Sequence, residues 1–284
     1  MRWQDGRRSG NVEDRRGMRI SRKTVGGGIG TIILILVGMY FGIDPSVLMN
    51  ITNSTSGPQV QMQPAERPAE ENRLADFVSV VLADTEDTWH AIFRQSGKSY
   101  QEPQLVLFTD TVQSACGIAQ AAMGPFYCPS DRKVYIDLGF YQELQDRFRA
   151  PGDFAQAYVI AHEIGHHVQN LLGILGEVHN VQSRVSQAQA NALSVRLELQ
   201  ADCLAGIWAH HADRTRQILE QGDVEEALNA ASAIGDDRLQ RQTQGRVVPD
   251  SFTHGTSRQR VRWFQRGLHS GQFNQCNTFD TDDL

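Results

Sequence analysis

His162-Glu163-Ile164-Gly165-His166 is the run of this sequence whose residue types and spacing could do chemistry. On an α-helix, positions i and i+4 share one face, so two imidazoles so placed can grip one zinc ion. Glu163 is rotated about 100° from His162, so it flanks that ion and can reach a water held there. The chemistry this allows is hydrolysis, with the carboxylate as general base. From average residue usage, a bare H-E-x-x-H turns up by accident in about 1% of chains of this length. The setting therefore has to carry part of the argument.

A catalytic zinc site commonly takes three protein ligands and leaves a fourth position to water. The stretch 195–208, VRLELQADCLAGIW, is apolar nearly all round, yet it carries Glu198 and Asp202 one turn apart. Carboxylates on a helix that must be buried need a cation or hydrogen-bond donors to meet them. Glu198 is the candidate third ligand, and Asp202 the acceptor for the free ring N–H of a metal-bound histidine. The competing reading is a surface carboxylate pair with Arg196 as neighbour. Near the C-terminus lies Phe252-Thr-His254-Gly-Thr-Ser-Arg-Gln-Arg260. Amide hydrolysis builds negative charge on the former carbonyl oxygen, and a preplaced donor stabilises it. His254 could be that donor and Arg260 a helper or a carboxylate partner, but residue type and position alone favour a surface histidine. His167 points about 100° away from His166 and reads as packing or support. His90, His179, His210, His211 and His269 show no partner spacing. Gly165 costs about 1 kcal/mol against Ala in a helix and suggests close approach of a backbone strand above the metal.

These residues need elements to hold them. Pro151-Gly152-Asp153 stops one element and opens a helix to about Leu172, with Asp153 as N-cap. Residues 177–194 read as an exposed helix or excursion, and Val195–His210 as a second apolar helix. Asp223 with Glu226, and Thr256 with Gln259, resemble capping boxes for helices through Ala233 and Leu268. A helical pattern begins near Arg73, and β-like runs cover Gln104–Phe108 and Lys133–Leu138, the latter the candidate edge strand. There is no internal repeat. The expectation is a mostly helical α+β domain with a small sheet.

The 284 residues are 40% hydrophobic and 21% charged, enough for a packed core. The net charge of −6 is uneven: residues 1–23 hold eight basic groups against three acidic ones, and the remainder is acidic. An acidic main domain excludes nucleic acid as the expected partner. Residues 25–43 are uncharged and long enough, at about 1.5 Å each, for a hydrocarbon core of roughly 30 Å. A cleaved signal peptide or a core helix would compete with this, but the long charged head and the following Asp44-Pro45 favour one transmembrane anchor. The expected organisation is a basic cytoplasmic arm (1–24), an anchor (25–43), a flexible linker (44–72) and the globular domain (73–284). The positive-inside rule then places the domain on the exported side. Sequon matches at Asn50 and Asn53 carry little weight in so polar a linker. Cys116 and Cys128 flank a short loop suited to a local disulfide. Cys203 and Cys276 could form a long-range bridge or stay as free buried thiols.

The blocks MRWQDGRRSGNVEDRRG, HEIGHHVQN, RLELQADCLAGIWAH and FTHGTSRQRVRWFQRGL, with the apolar segment after the first, resemble the bacterial neutral zinc metallopeptidases nearly end to end. More distantly, H-E-x-G-H, E-x-x-x-D and a late H-x5-R are similar to gluzincin peptidases. The resemblance implies a zincin-like domain with Zn on His162, His166 and Glu198, and Glu163 as base. It also implies His254 and Arg260 in the active site and Asp202 behind a ligand. A protein or peptide substrate follows, cleaved at internal bonds, on an enzyme tied to the membrane by one helix. The rival readings are a membrane-tethered binding or scaffold protein with a structural or vestigial zinc, and a zinc hydrolase acting on a non-peptide amide.

Overall fold

Two runs of consecutive buried residues, Leu105–Phe108 and Val134–Asp137, set the centre of the sheet, because a strand buried on both faces needs apolar residues throughout. In the computed structural model, which describes residues 1–17, 68–121 and 124–284, they lie in strands β2 (Gln104–Phe108) and β6 (Lys133–Asp137), paired in parallel. Strand β1 (Val12–Asp14) pairs in parallel with the outer side of β2, and β5 (Phe126–Cys128) pairs antiparallel with β6. The order is β1-β2-β6-β5. The Lys133–Leu138 run is thus interior, and β1 and β5 are the edges. The short β5 is held there by Phe126, stacked on Tyr135 at 4.8 Å, and by a Cys116–Cys128 disulfide. A hairpin of β3 (Thr111–Ser114) and β4 (Gly117–Gln120) precedes it.

Eight α-helices are present among the described residues: α1 (Ala69–Gln95), α2 (Gly139–Asp146), α3 (Asp153–Leu171), α4 (Ile174–Gln182), α5 (Gln187–Arg216), α6 (Asp223–Ala233), α7 (Asp236–Gln244) and α8 (Ser257–Ser270). The fold is α+β and mostly helical, as expected. The Thr256–Gln259 capping box opens α8, and a Ser186–Gln189 box opens α5 eight residues ahead of the expected start at Val195. The 177–194 stretch is accordingly split between α4 and the first turns of α5. Two caps differ from expectation. Gly152, at φ 119°, is the N-cap of α3, and the Phe154 N–H donates to Glu226 across from α6. Gly222 caps α6, which leaves Asp223 and Glu226 for tertiary partners. A Cys203–Cys276 disulfide ties the C-terminal segment to α5, settling the open pairing. Trp89, Trp208, Trp263, Tyr158, Phe154 and Phe264 are among the large side chains of the core.

The expected division of the chain changes at both ends of the N-terminal region. Met1–Met18 and Glu70–Leu284 form one compact unit, so the basic arm is not a separate segment and the domain begins a few residues before Arg73. The reason lies in its pairing. Arg7 Nη2, Ser9 Oγ and Asn11 Nδ2 all donate to Glu86, a carboxylate buried on α1, and Arg8 pairs with Asp76. Trp3 is buried edge-on against Phe77. The Met1 ammonium lies between Asp153 and Asp223. The stretch 25–43 and residues 44–67 of the linker, with both sequons, lie outside the described residues. Among the described residues no helix is long and apolar enough to cross a membrane.

Candidate metal centre

Glycines set how closely the site-bearing helices approach. A Cβ on Gly165 would lie 3.0 Å from the Ala201 carbonyl oxygen, so the glycine admits helix α5 rather than a strand. A Cβ on Gly267 would lie 1.9 Å from the Cys203 oxygen, so α8 seats directly on α5. Two close crossings therefore bring His162 and His166 of α3, Glu198 and Asp202 of α5, and Arg260 of α8 to one place.

His162 Nε2 lies 3.1 Å from Glu198 Oε2, and His166 Nε2 lies 3.3 Å from Glu198 Oε1. One ligand atom from each of the three residues falls within 4.8 Å of the others. The opposite ring nitrogens are already committed: His162 Nδ1 to Asp202 Oδ1 and His166 Nδ1 to Gln169 Oε1, both at 2.9 Å. Those oxygens only accept, so each Nδ1 carries the hydrogen and each Nε2 is left to face Glu198. Burial opposes a charged ring at His162, but Asp202 and Glu198 outweigh it and raise His162 to about 10. Burial also opposes the Glu198 anion, yet His166 and His162 hold it well below the usual carboxylate range. The pocket is thus built to hold positive charge, and two nitrogens with a carboxylate oxygen suit zinc. Arg196, the alternative partner weighed for Glu198, donates instead to the carbonyls of Thr278 and Thr281.

Beneath His162, Asp202 is fully buried and takes Arg260 in a two-pronged contact, Nε to Oδ2 at 2.8 Å and Nη2 to Oδ1 at 2.9 Å. The Tyr158 hydroxyl donates to Asp202 Oδ1 at 2.5 Å. Burial would raise Asp202, but Arg260 and His162 win and lower it. Tyr158 was not singled out from sequence, although its position one turn before His162 on the same face was the available signal.

Glu163 and His254 line the same cavity as the three candidate ligands, a space of about 430 Å³. Burial pushes the Glu163 carboxyl above its ordinary range, which suits a group that must accept a proton. His254 is half exposed, and Asp236 holds its loop. Asp236 Oδ2 accepts the backbone N–H groups of Thr253, His254 and Gly255, and its Oδ1 lies 3.3 Å from His254 Nδ1. That contact raises the His254 pKa. No spacing rule links Asp236 to His254, so sequence reading missed it.

His167 is buried, and burial pushes it down to about 4, so the ring is neutral. The Gln101 carbonyl, 2.6 Å from Nε2, can only accept, so Nδ1 must accept the Tyr127 hydroxyl at 3.0 Å. Asn170 Nδ2 donates to that hydroxyl in turn. The three residues latch edge strand β5 to the helix that carries both candidate histidine ligands. Among the histidines without a reading, His90 contacts Glu102, and His210 and His211 contact the Leu268 and Gly271 carbonyls.

A family model described as putative neutral zinc metallopeptidase matches residues 1–279. The chain belongs to this family. The uncharacterised protein YpfJ of Escherichia coli K12 is 53% identical over 292 residues, covering 98% of this chain and 99% of the relative. The uncharacterised protein Rv2575 of Mycobacterium tuberculosis H37Rv is 39% identical over 260 residues, covering 87% of this chain and 86% of the relative. No solved structure matches. The family's name carries zinc and peptide hydrolysis, and three of the four blocks that point to it in the sequence, those holding His162, Glu198 and His254, converge on this site.

Proposed function

We propose that the protein is a zinc peptidase that cleaves internal peptide bonds, with the metal on His162, His166 and Glu198. The observation that carries this reading is the convergence of those three side chains at the floor of the cavity that Glu163 lines. Zinc bound there supplies a Lewis acid that lowers the pKa of water to about 7. Glu163, already raised by burial, takes the proton of the attacking water and passes it to the leaving amine. His254 donates to the oxyanion. Asp202 holds the His162 ring by its Nδ1–H, and Arg260 and Tyr158 hold Asp202. Gly124–Tyr127 border the cavity, so the free edge of β5 lies where an extended substrate backbone can pair with it beside the site.

The test is Glu163→Gln, which keeps size and reach but cannot accept a proton at neutral pH. Zinc content and melting temperature should stay near wild type, while hydrolysis of a peptide library falls by at least ~10²-fold. A wild-type protein that holds zinc and cleaves nothing, with a Glu163→Gln variant fully functional in cells, would return the chain to a zinc-stabilised binding module.

A further inference from the structure

We propose that the subsite beside the scissile bond selects a bulky apolar side chain, aromatic or branched aliphatic. This rests on the peptidase reading above. One wall of the cavity is made of Phe140, Phe148, Val159, Ile234 and Leu239. They come from α2 and the turn after it, from α3, from the C-cap of α6 and from α7. Four of the five are only partly buried, the exception being Val159, so apolar surface is left open towards the space where a substrate must lie. Phe140 and Phe148 meet at 6.2 Å with their rings tilted, forming a shaped rather than a flat surface. The ionisable side chains that line the cavity, His162, Glu163, His166, Glu198, His254 and Arg260, belong to the catalytic face, and the Arg147 guanidinium, which is not part of the lining, lies 5.2 Å from the Phe148 ring centroid. Arg260 is taken up by Asp202 and offers no partner to a substrate carboxylate. A charged residue in the subsite would lose its water against a carbon wall, whereas an apolar one would gain by leaving water.

The measurement uses the zinc-loaded full chain with a library varied on both sides of the cleaved bond. Cleavage should concentrate on peptides with Phe, Leu, Ile or Met at one flanking position, by roughly 10–200-fold over Gly there. Leu239→Arg should keep wild-type zinc content and shift the preference at that position towards Asp and Glu. Binding to the Glu163→Gln protein, followed by fluorescence, should show the same ranking without turnover. Cleavage with no apolar preference at either flank overturns the subsite while leaving the peptidase intact. If nothing is cleaved, equal binding of Phe and Gly peptides to Glu163→Gln overturns the subsite as well, and tighter binding of the Phe peptide supports it.

A different observation carries a second inference: residues 1–17 and 70–284 lie on the same side of any membrane the protein meets. Val12, Glu13 and Asp14 pair with Leu105, Val106 and Leu107 inside the main sheet. Glu86 is 1% exposed and takes three hydrogen bonds from residues 7, 9 and 11. Separating the arm would strand that carboxylate and uncover Trp3 and Phe77. The uncharged stretch 25–43 lies between these two parts of one folded unit, so a single crossing, with the arm inside and the domain outside, would tear the sheet apart. Labelling of Gly10→Cys and Arg184→Cys variants with a membrane-impermeant maleimide, in intact and permeabilised cells, decides the point. Both positions are exposed. The two sites should react together in either state. One site reacting in intact cells while the other waits for permeabilisation overturns the inference.

Discussion

His162 Nδ1 lies 2.9 Å from Asp202 Oδ1, and the same carboxylate holds Arg260 through both of its oxygens. A buried guanidinium thus orients the ring of a candidate metal ligand by way of one aspartate. The arrangement fixes the tautomer of His162 and keeps Asp202 ionised where burial alone would neutralise it.

Replacing Asp202 by Asn should weaken zinc binding by about 10–100-fold, the usual cost of losing the acceptor behind a metal-bound histidine. It should also lower the stability of the zinc-free protein by about 3–5 kcal/mol, because Arg260 is left buried without its counter-ion. Metal titration and chemical denaturation read the two effects separately. Unchanged values in both would mean that the contact is incidental.

Glu198→Ala should abolish tight zinc binding while leaving the helices intact, since only the third ligand is lost. Metal analysis and circular dichroism check this on the purified protein. Wild-type zinc stoichiometry in that variant would remove Glu198 from the site.

Activity should fall on the alkaline side as His254 loses its proton. His254 Nδ1 lies 3.0 Å from the Thr253 hydroxyl and 3.3 Å from Asp236 Oδ1; with its Nδ1–H given to the carboxylate, the far nitrogen can donate only while the ring is charged. The hydrogen bond that His254 gives to Asp236 raises the folded pKa above the ordinary 6.5. The pair therefore adds stability below about pH 6.5, and this is lost as pH rises through the folded value. Asp236→Asn should move the alkaline limb of kcat to lower pH. A limb that stays put in this variant, and in His254→Ala, belongs to another group.

Tyr127→Phe removes the hydroxyl that joins His167 and Asn170. His167 Nδ1 is then left without its donor, at a cost of about 1–3 kcal/mol. Amide hydrogen exchange in β5 should speed up while zinc content holds, as expected if the latch steadies the edge strand. Exchange at the wild-type rate would leave the hydroxyl without that role.

The H-E-x-x-H spacing, the Glu198–Asp202 pair on an apolar helix and the Thr256–Gln259 cap could all be read from sequence because each is a local rule of one helix. The buried runs of β2 and β6 were legible as strands for the same reason. Which strand forms the edge was not, because that depends on pairing: the three-residue β5 takes the position through the Cys116–Cys128 disulfide and Phe126 on Tyr135. Asp223 and Glu226 fit a local capping pattern, but tertiary partners claimed them, with Glu226 capping α3 instead. Asp236, Tyr127 and the arm's contacts with Glu86 join residues between 18 and 79 positions apart. The sequence by itself determined the helix faces and the ligand types they carry, because side-chain direction follows from residue spacing within an element. Only the tertiary structure decided how the faces meet and what shares the fold, because long-range partners are chosen by packing and burial, which leave no fixed interval in the chain.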